Sequence, residues 1–195
     1  KLTKSMKRIT GFTLSWIGLI LLSPLILILS ILIRVGSPGP VFYKQERVGE
    51  NGKIFKLIKF RSMLENAEAN GPVWAEKNDD RVTRVGRWIR KWRLDEIPQM
   101  FNVIKGDMSF VGPRPERPYF VEQLQKEIPF YGQRFSVKPG ITGWAQIKYR
   151  YGASKEDALE KLKYDLYYIK NLSPLFDLII IFETIKVVLF GKGAR

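Results

Sequence analysis

Asp95 and Glu96 stand side by side immediately after a basic segment, RVTRVGRWIRKWRL (81–94), which carries Arg81, Arg84, Arg87, Arg90, Lys91 and Arg93 and no acid. The chain has neither histidine nor cysteine. That excludes Ser-His-Asp and Cys-His nucleophiles, and metals held by thiolate or imidazole. Any catalysis has to run on carboxylates, Lys, Arg, Tyr or hydroxyls, and any metal has oxygen ligands, with Mg²⁺ the natural candidate. An aspartate is then the best available covalent nucleophile for phosphoryl transfer. A neighbouring Glu can hold Mg²⁺, and nearby arginines can neutralise phosphates. A plainer reading is also open: Asp95 as a helix N-cap, with Glu96 in the first turn and Pro98 just inside.

Three other places carry candidate chemistry. Arg114 lies between Pro113 and Pro115 in KGDMSFVGPRP (105–115), a stiff backbone suited to bidentate phosphate recognition, or simply a surface turn. The stretch KPGITGWAQ (138–146) reads as a glycine-containing loop able to turn backbone N–H groups toward an anion. Asp165 sits among Tyr164, Tyr167 and Tyr168, either as a surface charge or as a site carboxylate. Neither a Walker A nor a GxGxxG pattern is present, so standard nucleotide-binding folds are unsupported.

These residues need a scaffold, and 195 residues are enough for one domain with a real core. With 33 Lys+Arg against 19 Asp+Glu the formal charge is +14, which points to an anionic partner: nucleic acid, anionic lipid or a phosphorylated substrate. From Phe12 to Ile33 no residue is charged. A straight helix of that length would be roughly 33 Å, enough for a bilayer core. Ser23-Pro24 interrupts it, and proline removes a backbone donor and kinks a helix. Basic residues flank both ends: Lys1, Lys4, Lys7 and Arg8 before, Arg34, Lys44 and Arg47 after. Since positive flanks favour the cytoplasmic side, a helix that dips in and returns competes with a kinked span.

Beyond the breaker cluster GSPGP (36–40), two strands are expected at 41–49 and 53–63, joined at Asn51-Gly52, a hairpin-turn signal. The polar stretch 64–80 reads as a short helix and a loop. The basic segment 81–94 reads as a helix with Asp79 or Asp80 as N-cap, an arginine stripe, and an apolar side of Val85, Trp88, Ile89 and Trp92. Helices are expected at 118–135, at 154–170 with Ser154 and Asp157 as a box-like cap, and at 174–190. The fold class is therefore α+β, predominantly helical, with a small β-hairpin region. Residues 1–36 are expected to form a membrane element and its flanks, and residues 37–195 a single further unit.

The chain resembles the bacterial sugar transferase family, the monotopic phosphoglycosyl transferases that act on undecaprenyl phosphate. The resemblance rests on Lys7-Arg8, Ser23-Pro24, KFRSM (59–63), LDEIPQ (94–99), Phe101-Asn102-Val103, KGDMS (105–109), GPRP (112–115), KPGITG (138–143) and Tyr164-Asp165. Tyr-Gly-Ala-Ser (151–154) and the closing Gly-Ala-Arg look like the exopolysaccharide branch, whose members often carry an extra N-terminal membrane region. The resemblance implies a re-entrant helix broken at Ser23-Pro24, at the cytoplasmic face of the bacterial inner membrane. It implies that Asp95 attacks the β-phosphate of a UDP-sugar and releases UMP; the branch favours glucose or galactose, with N-acetylated sugars open. Undecaprenyl phosphate then takes the phospho-sugar from Asp95. Glu96 would bind Mg²⁺, and Lys59, Arg90, Arg114 and Asp165 would line the site. Family members usually carry an Asp three residues after the Lys-Arg pair, where this chain has Gly11. The basic stripe would seat the domain on an anionic phospholipid membrane, with no nucleic acid involved. The competing reading is a non-enzymatic basic membrane or nucleic-acid binding module.

Overall fold

The computed structural model describes residues 2–65, 67, 71, 79–149, 152 and 154–189. Most of the stretch read as a short helix and loop (64–80) lies outside the described residues, as do Tyr151 and the closing Gly-Ala-Arg. Helix α1 (Leu2–Leu21) runs into α2 (Ser23–Gly36), and a hairpin of β1 (Phe42–Val48) and β2 (Ile54–Phe60) follows. Then come α3 (Arg84–Lys91), α4 (Gln99–Lys105), β3 (Ser109–Val111), α5 (Pro118–Glu127), β4 (Gly140–Thr142), α6 (Trp144–Lys148), α7 (Lys155–Lys170) and α8 (Pro174–Leu189). The predominantly helical α+β reading is borne out.

The N-terminal pair bends by 64° at the Ser23-Pro24 break. Proline at position 24 has no N–H to give to the carbonyl of Ile20, and the Ser23 hydroxyl donates to that same carbonyl at 2.8 Å. Serine thus replaces the donor that proline removes, which matters most where no water is at hand. No single helix among the described residues is long and apolar enough to cross a membrane, but the bent pair Lys4–Leu21 and Ser23–Gly36 together has the length and composition. Its outer face exposes Trp16, Ile20, Leu21, Leu27, Ile28 and Ile31. Its inner face packs Leu29 and Ile33 against Phe60 of β2, Ile89 of α3 and Ile97.

Both ends of this pair are tied to the body. Lys7 reaches Asp177 of α8, the Tyr168 hydroxyl of α7 and the carbonyl of Val111. Arg8 donates to the carbonyls of Val103 and Ile104, the last turn of α4, where cations are favoured. Those contacts anchor the base without an acid at Gly11, where a Cβ would stand in ordinary contact with Val103, 3.4 Å away. At the other end, buried Arg61 donates to the carbonyls of Ser37 and Pro38 and to the Ser37 hydroxyl. It closes the C-terminus of α2 and hands the chain to the hairpin.

The hairpin forms as its turn residues dictate. Asn51 (φ 56°) and Gly52 (φ 76°) both take the left-handed conformation, and β1 and β2 pair antiparallel with Val48 opposite Ile54. The strands are shorter than 41–49 and 53–63. Phe55, Leu57 and Lys59 alternate on one side of β2, so the core positions Phe55 and Leu57 lead directly to Lys59. The side chain of Asn102 on α4 accepts from the N–H of Ile58 at 2.9 Å and donates to the carbonyl of Lys56 at 2.8 Å. It mimics a neighbouring strand and fixes Lys59 relative to the segment that carries Asp95.

Several expectations are corrected. The N-cap of α3 is Thr83, which accepts from the N–H of Gly86; Asp79 instead grips the Arg81 side chain. The apolar side of α3 is split: Val85 and Ile89 enter the core, while Trp88 and Trp92 stay 49% and 40% exposed. The helix expected at 118–135 ends at Glu127, because Ile128 precedes Pro129 and is extended; a 3-10 stretch, Tyr131–Ser136, follows. The stretches 105–115 and 138–146, read as a turn and a loop, pair as the parallel strands β3 and β4.

Candidate active site

The dyad sits on a tight turn. After α3, Arg93 takes a left-handed conformation (φ 54°, ψ 21°), and Leu94–Glu96 form a single 3-10 turn before α4. A non-glycine residue in this region is strained, and such strain is often kept where a side chain must be aimed. The N-cap reading of Asp95 fails: its side chain caps nothing, and α4 begins later, at Gln99.

Glu96 is clamped. Arg114 donates to its two carboxylate oxygens at 2.6 and 3.4 Å. Although Glu96 is largely buried, Arg114 and then the neighbouring cations Arg93 and Lys59 hold its carboxyl down at about 2. Arg114 itself stays 46% exposed, so its pairing is partly screened and its guanidinium remains open to a ligand. Asp95 is the opposite case. Burial, and then the adjacent Glu96 charge, push its carboxyl up to about 6 against the pull of Lys59, Arg90 and Arg114. Two adjacent carboxyls thus acquire different properties from their surroundings. Among the described residues Glu96 has a partner, whereas Asp95 accepts no hydrogen bond.

Lys59 closes the other side. Burial, aided by the charge of Arg47, lowers its ammonium to about 8, while Asp95 and Glu96 pull the other way. Its Nζ lies 5.4 Å from the centre of the Tyr43 ring. The structure therefore brings together five of the sequence-predicted residues: Lys59, Arg90, Asp95, Glu96 and Arg114. Asp165 stands one layer behind, 2% exposed, with its carboxylate on Arg134 at 2.7 Å.

Two contributors escaped sequence reasoning. Arg47, counted only as a flanking charge, pairs with Glu116 at 3.0 Å beside Arg114. Arg134 was hidden in a segment read as a plain helix. The KPGITG stretch acts as a brace and not as an anion cradle. The N–H of Gly140 donates to the carbonyl of Pro113, and the N–H of Gly112 to that of Thr142. A Cβ at Gly140 or Gly112 would strike backbone at 2.1 or 2.4 Å, so glycine is required for this approach.

The donor set can be compared with a Mg²⁺ ion. Among the described residues no group of three or more carboxylates is placed to hold a cation. One ionised carboxylate in cationic surroundings fits a Mg²⁺ that takes most of its ligands from phosphate oxygens and water.

Fold and site define a domain in which a carboxylate pair lies among Lys59, Arg90 and Arg114, with a bent apolar helix pair at its N-terminus. The family model for bacterial sugar transferases matches residues 2–191, and the chain belongs to that family. Over 179 residues it is 52% identical to the UDP-N-acetylgalactosamine-undecaprenyl-phosphate N-acetylgalactosaminephosphotransferase of Aeromonas hydrophila, covering 92% of this chain and 42% of that protein. It is 42% identical to the UDP-glucose:undecaprenyl-phosphate glucose-1-phosphate transferase of Escherichia coli over 193 residues, 97% of this chain and 41% of that protein. It is 39% identical over 198 residues to the exopolysaccharide production protein PSS of Rhizobium leguminosarum, 96% of this chain and 98% of that protein. The chain thus spans about two fifths of the length of the first two relatives.

Proposed function

We propose that the protein transfers a sugar 1-phosphate from a UDP-sugar to undecaprenyl phosphate through a covalent intermediate on Asp95. The observation that carries this reading is the Asp95 carboxylate, which accepts no hydrogen bond among the described residues and lies beside an Arg114-clamped Glu96, within the fields of Lys59, Arg90 and Arg114. A carboxylate oxygen of Asp95 attacks the β-phosphorus. The bond from that phosphorus to the oxygen bridging the two phosphates breaks, and UMP leaves with the electron pair. The sugar stays on the phosphoryl group, now esterified to Asp95. A phosphate oxygen of undecaprenyl phosphate then attacks the same phosphorus and releases the Asp95 carboxylate, giving undecaprenyl-diphosphate-sugar. Neither displacement needs a proton carrier, which suits a chain without histidine. Lys59, Arg90 and Arg114 offset the charge spread over the transferring oxygens. Glu96 would hold Mg²⁺, which when bound supplies further neutralisation of the diphosphate.

The names of the relatives support the reaction class and make UDP-N-acetylgalactosamine, UDP-glucose and UDP-galactose the donors to try first. UMP release by detergent-solubilised protein, with Mg²⁺, undecaprenyl phosphate and these three UDP-sugars, tests the reading. Acceptor-dependent release with one donor is expected. Salt-sensitive binding to anionic vesicles or nucleic acid with no release would favour the non-enzymatic module. Glu96→Gln should raise the Mg²⁺ concentration needed for half-maximal rate by about tenfold. An unchanged Mg²⁺ titration would remove Glu96 from the metal.

The bent α1–α2 pair is read as re-entrant, entering and leaving on the cytoplasmic face of the inner membrane. Arg84, Arg87 and Lys91 beside exposed Trp88 and Trp92 suit the headgroup layer of an anionic phospholipid membrane. Because the chain has no native cysteine, Lys4→Cys and Lys44→Cys give clean reporters. Both should react with an impermeant maleimide only in inverted vesicles; labelling from opposite sides would establish a span.

A further inference from the structure

We infer that Arg134, held by Asp165, is a positioning residue that sets the aim of Arg114, an inference that rests on the reaction proposed above. Arg114 is the most exposed member of the site whose contact with the dyad is defined, and a long exposed side chain has many rotamers. Its aim therefore depends on how firmly its backbone is held. Pro113 and Pro115 restrict φ on either side. The N–H of Gly140 fixes the carbonyl of Pro113 at 3.0 Å. The carbonyl of Arg114 itself is taken by Arg134, whose Nη2 donates to it at 2.9 Å.

Arg134 is built to hold that one carbonyl. It is 9% exposed, its Nη2 also donates to Asp165 at 2.7 Å, and its Nη1 donates to the Tyr131 hydroxyl at 2.6 Å. Its guanidinium carbon stands 5.0 Å from the centre of the Tyr131 ring. Asp165 comes from α7 and Tyr131 from the same 3-10 stretch as Arg134, so α7 and that stretch together hold the guanidinium on a backbone atom of the GPRP loop. Burying an Arg–Asp pair gives little net stability by itself, so a core role alone explains the arrangement poorly. Among the described residues Arg134 has no hydrogen bond to Asp95 or Glu96. Its influence on the dyad runs through Arg114, and Asp165 acts at one further remove.

A double-mutant cycle tests this. Arg134→Lys keeps the charge and loses the fork. It should lower kcat about tenfold, with donor KM changed less than about threefold. On an Arg114→Lys background the same substitution should cost less than about twofold, because the side chain it aims is already altered. Asp165→Asn, which is isosteric, and Tyr131→Phe, which removes one bond, run through the same cycle and keep the test valid if Arg134→Lys does not fold. Equal loss of kcat on both backgrounds would overturn the inference, as would a lowered melting temperature with kcat unchanged. If the wild-type protein turns over no UDP-sugar, the proposed reaction fails instead. The cycle is then read on UDP affinity, where the same non-additivity supports the inference and additivity overturns it.

Discussion

Asp95→Asn is expected to leave a folded protein that releases UMP at less than about a thousandth of the wild-type rate, since the amide is no nucleophile. The same variant should melt no lower than the wild type at pH 8. The sign follows from the environment of the carboxyl. Asp95 titrates near 6 in the folded protein against an ordinary 3.8, so the fold holds this proton more tightly than the unfolded chain does. Stability therefore falls as pH rises from about 4 to about 6, and above that range the ionised carboxylate is a net cost. Asn carries no such cost. Wild-type turnover in this variant would sink the nucleophile assignment, and a sharply lowered melting temperature would contradict the environment described for it.

The second large effect belongs to Arg114→Ala. It should lower kcat by about 10²- to 10³-fold, the usual cost of removing a positioned donor to developing charge. It should also move the pH profile in a way that lost packing would not. In the wild type, the acid limb of kcat/KM should follow Asp95, pushed up to about 6, and the alkaline limb Lys59, lowered to about 8. Arg114 holds the Asp95 carboxyl down and lowers the Lys59 ammonium. Its removal should shift both limbs toward higher pH. A loss of rate with both limbs fixed would show that Arg114 acts on the fold and not on the charges of the site.

The site was legible in the sequence where chemistry narrowed the choice. Without histidine or cysteine, the acidic pair in a basic segment stood out, and the structure places Lys59, Arg90 and Arg114 around it. Local signals were equally readable. Asn51-Gly52 makes its turn, and Ser154 and Asp157 exchange the two bonds of a capping box. What failed depended on partners distant in sequence. Thr83 caps α3 because Asp79 is occupied by Arg81, a competition no spacing rule shows. Trp88 shares α3 with Ile89 and Trp92 directly follows it, yet of the three only Ile89 packs with Phe60 of β2 and with Leu29 and Ile33 of α2. Strands β3 and β4 have three residues each and pair across about thirty residues of chain, too short and too remote for a periodic signal. Arg134 fell within a segment read as one helix, but the break before Pro129 puts it in a 3-10 stretch, where it meets Asp165.

Incubating the protein with its UDP-sugar and Mg²⁺ in the absence of undecaprenyl phosphate tests the central claim most directly. The account predicts a burst of UMP approaching one equivalent per protein, and a phospho-sugar mass adduct on the peptide that contains Asp95. Later addition of undecaprenyl phosphate should discharge it. UMP released only when the acceptor is present, with no adduct on that peptide, would mean direct displacement and would contradict the covalent role of Asp95.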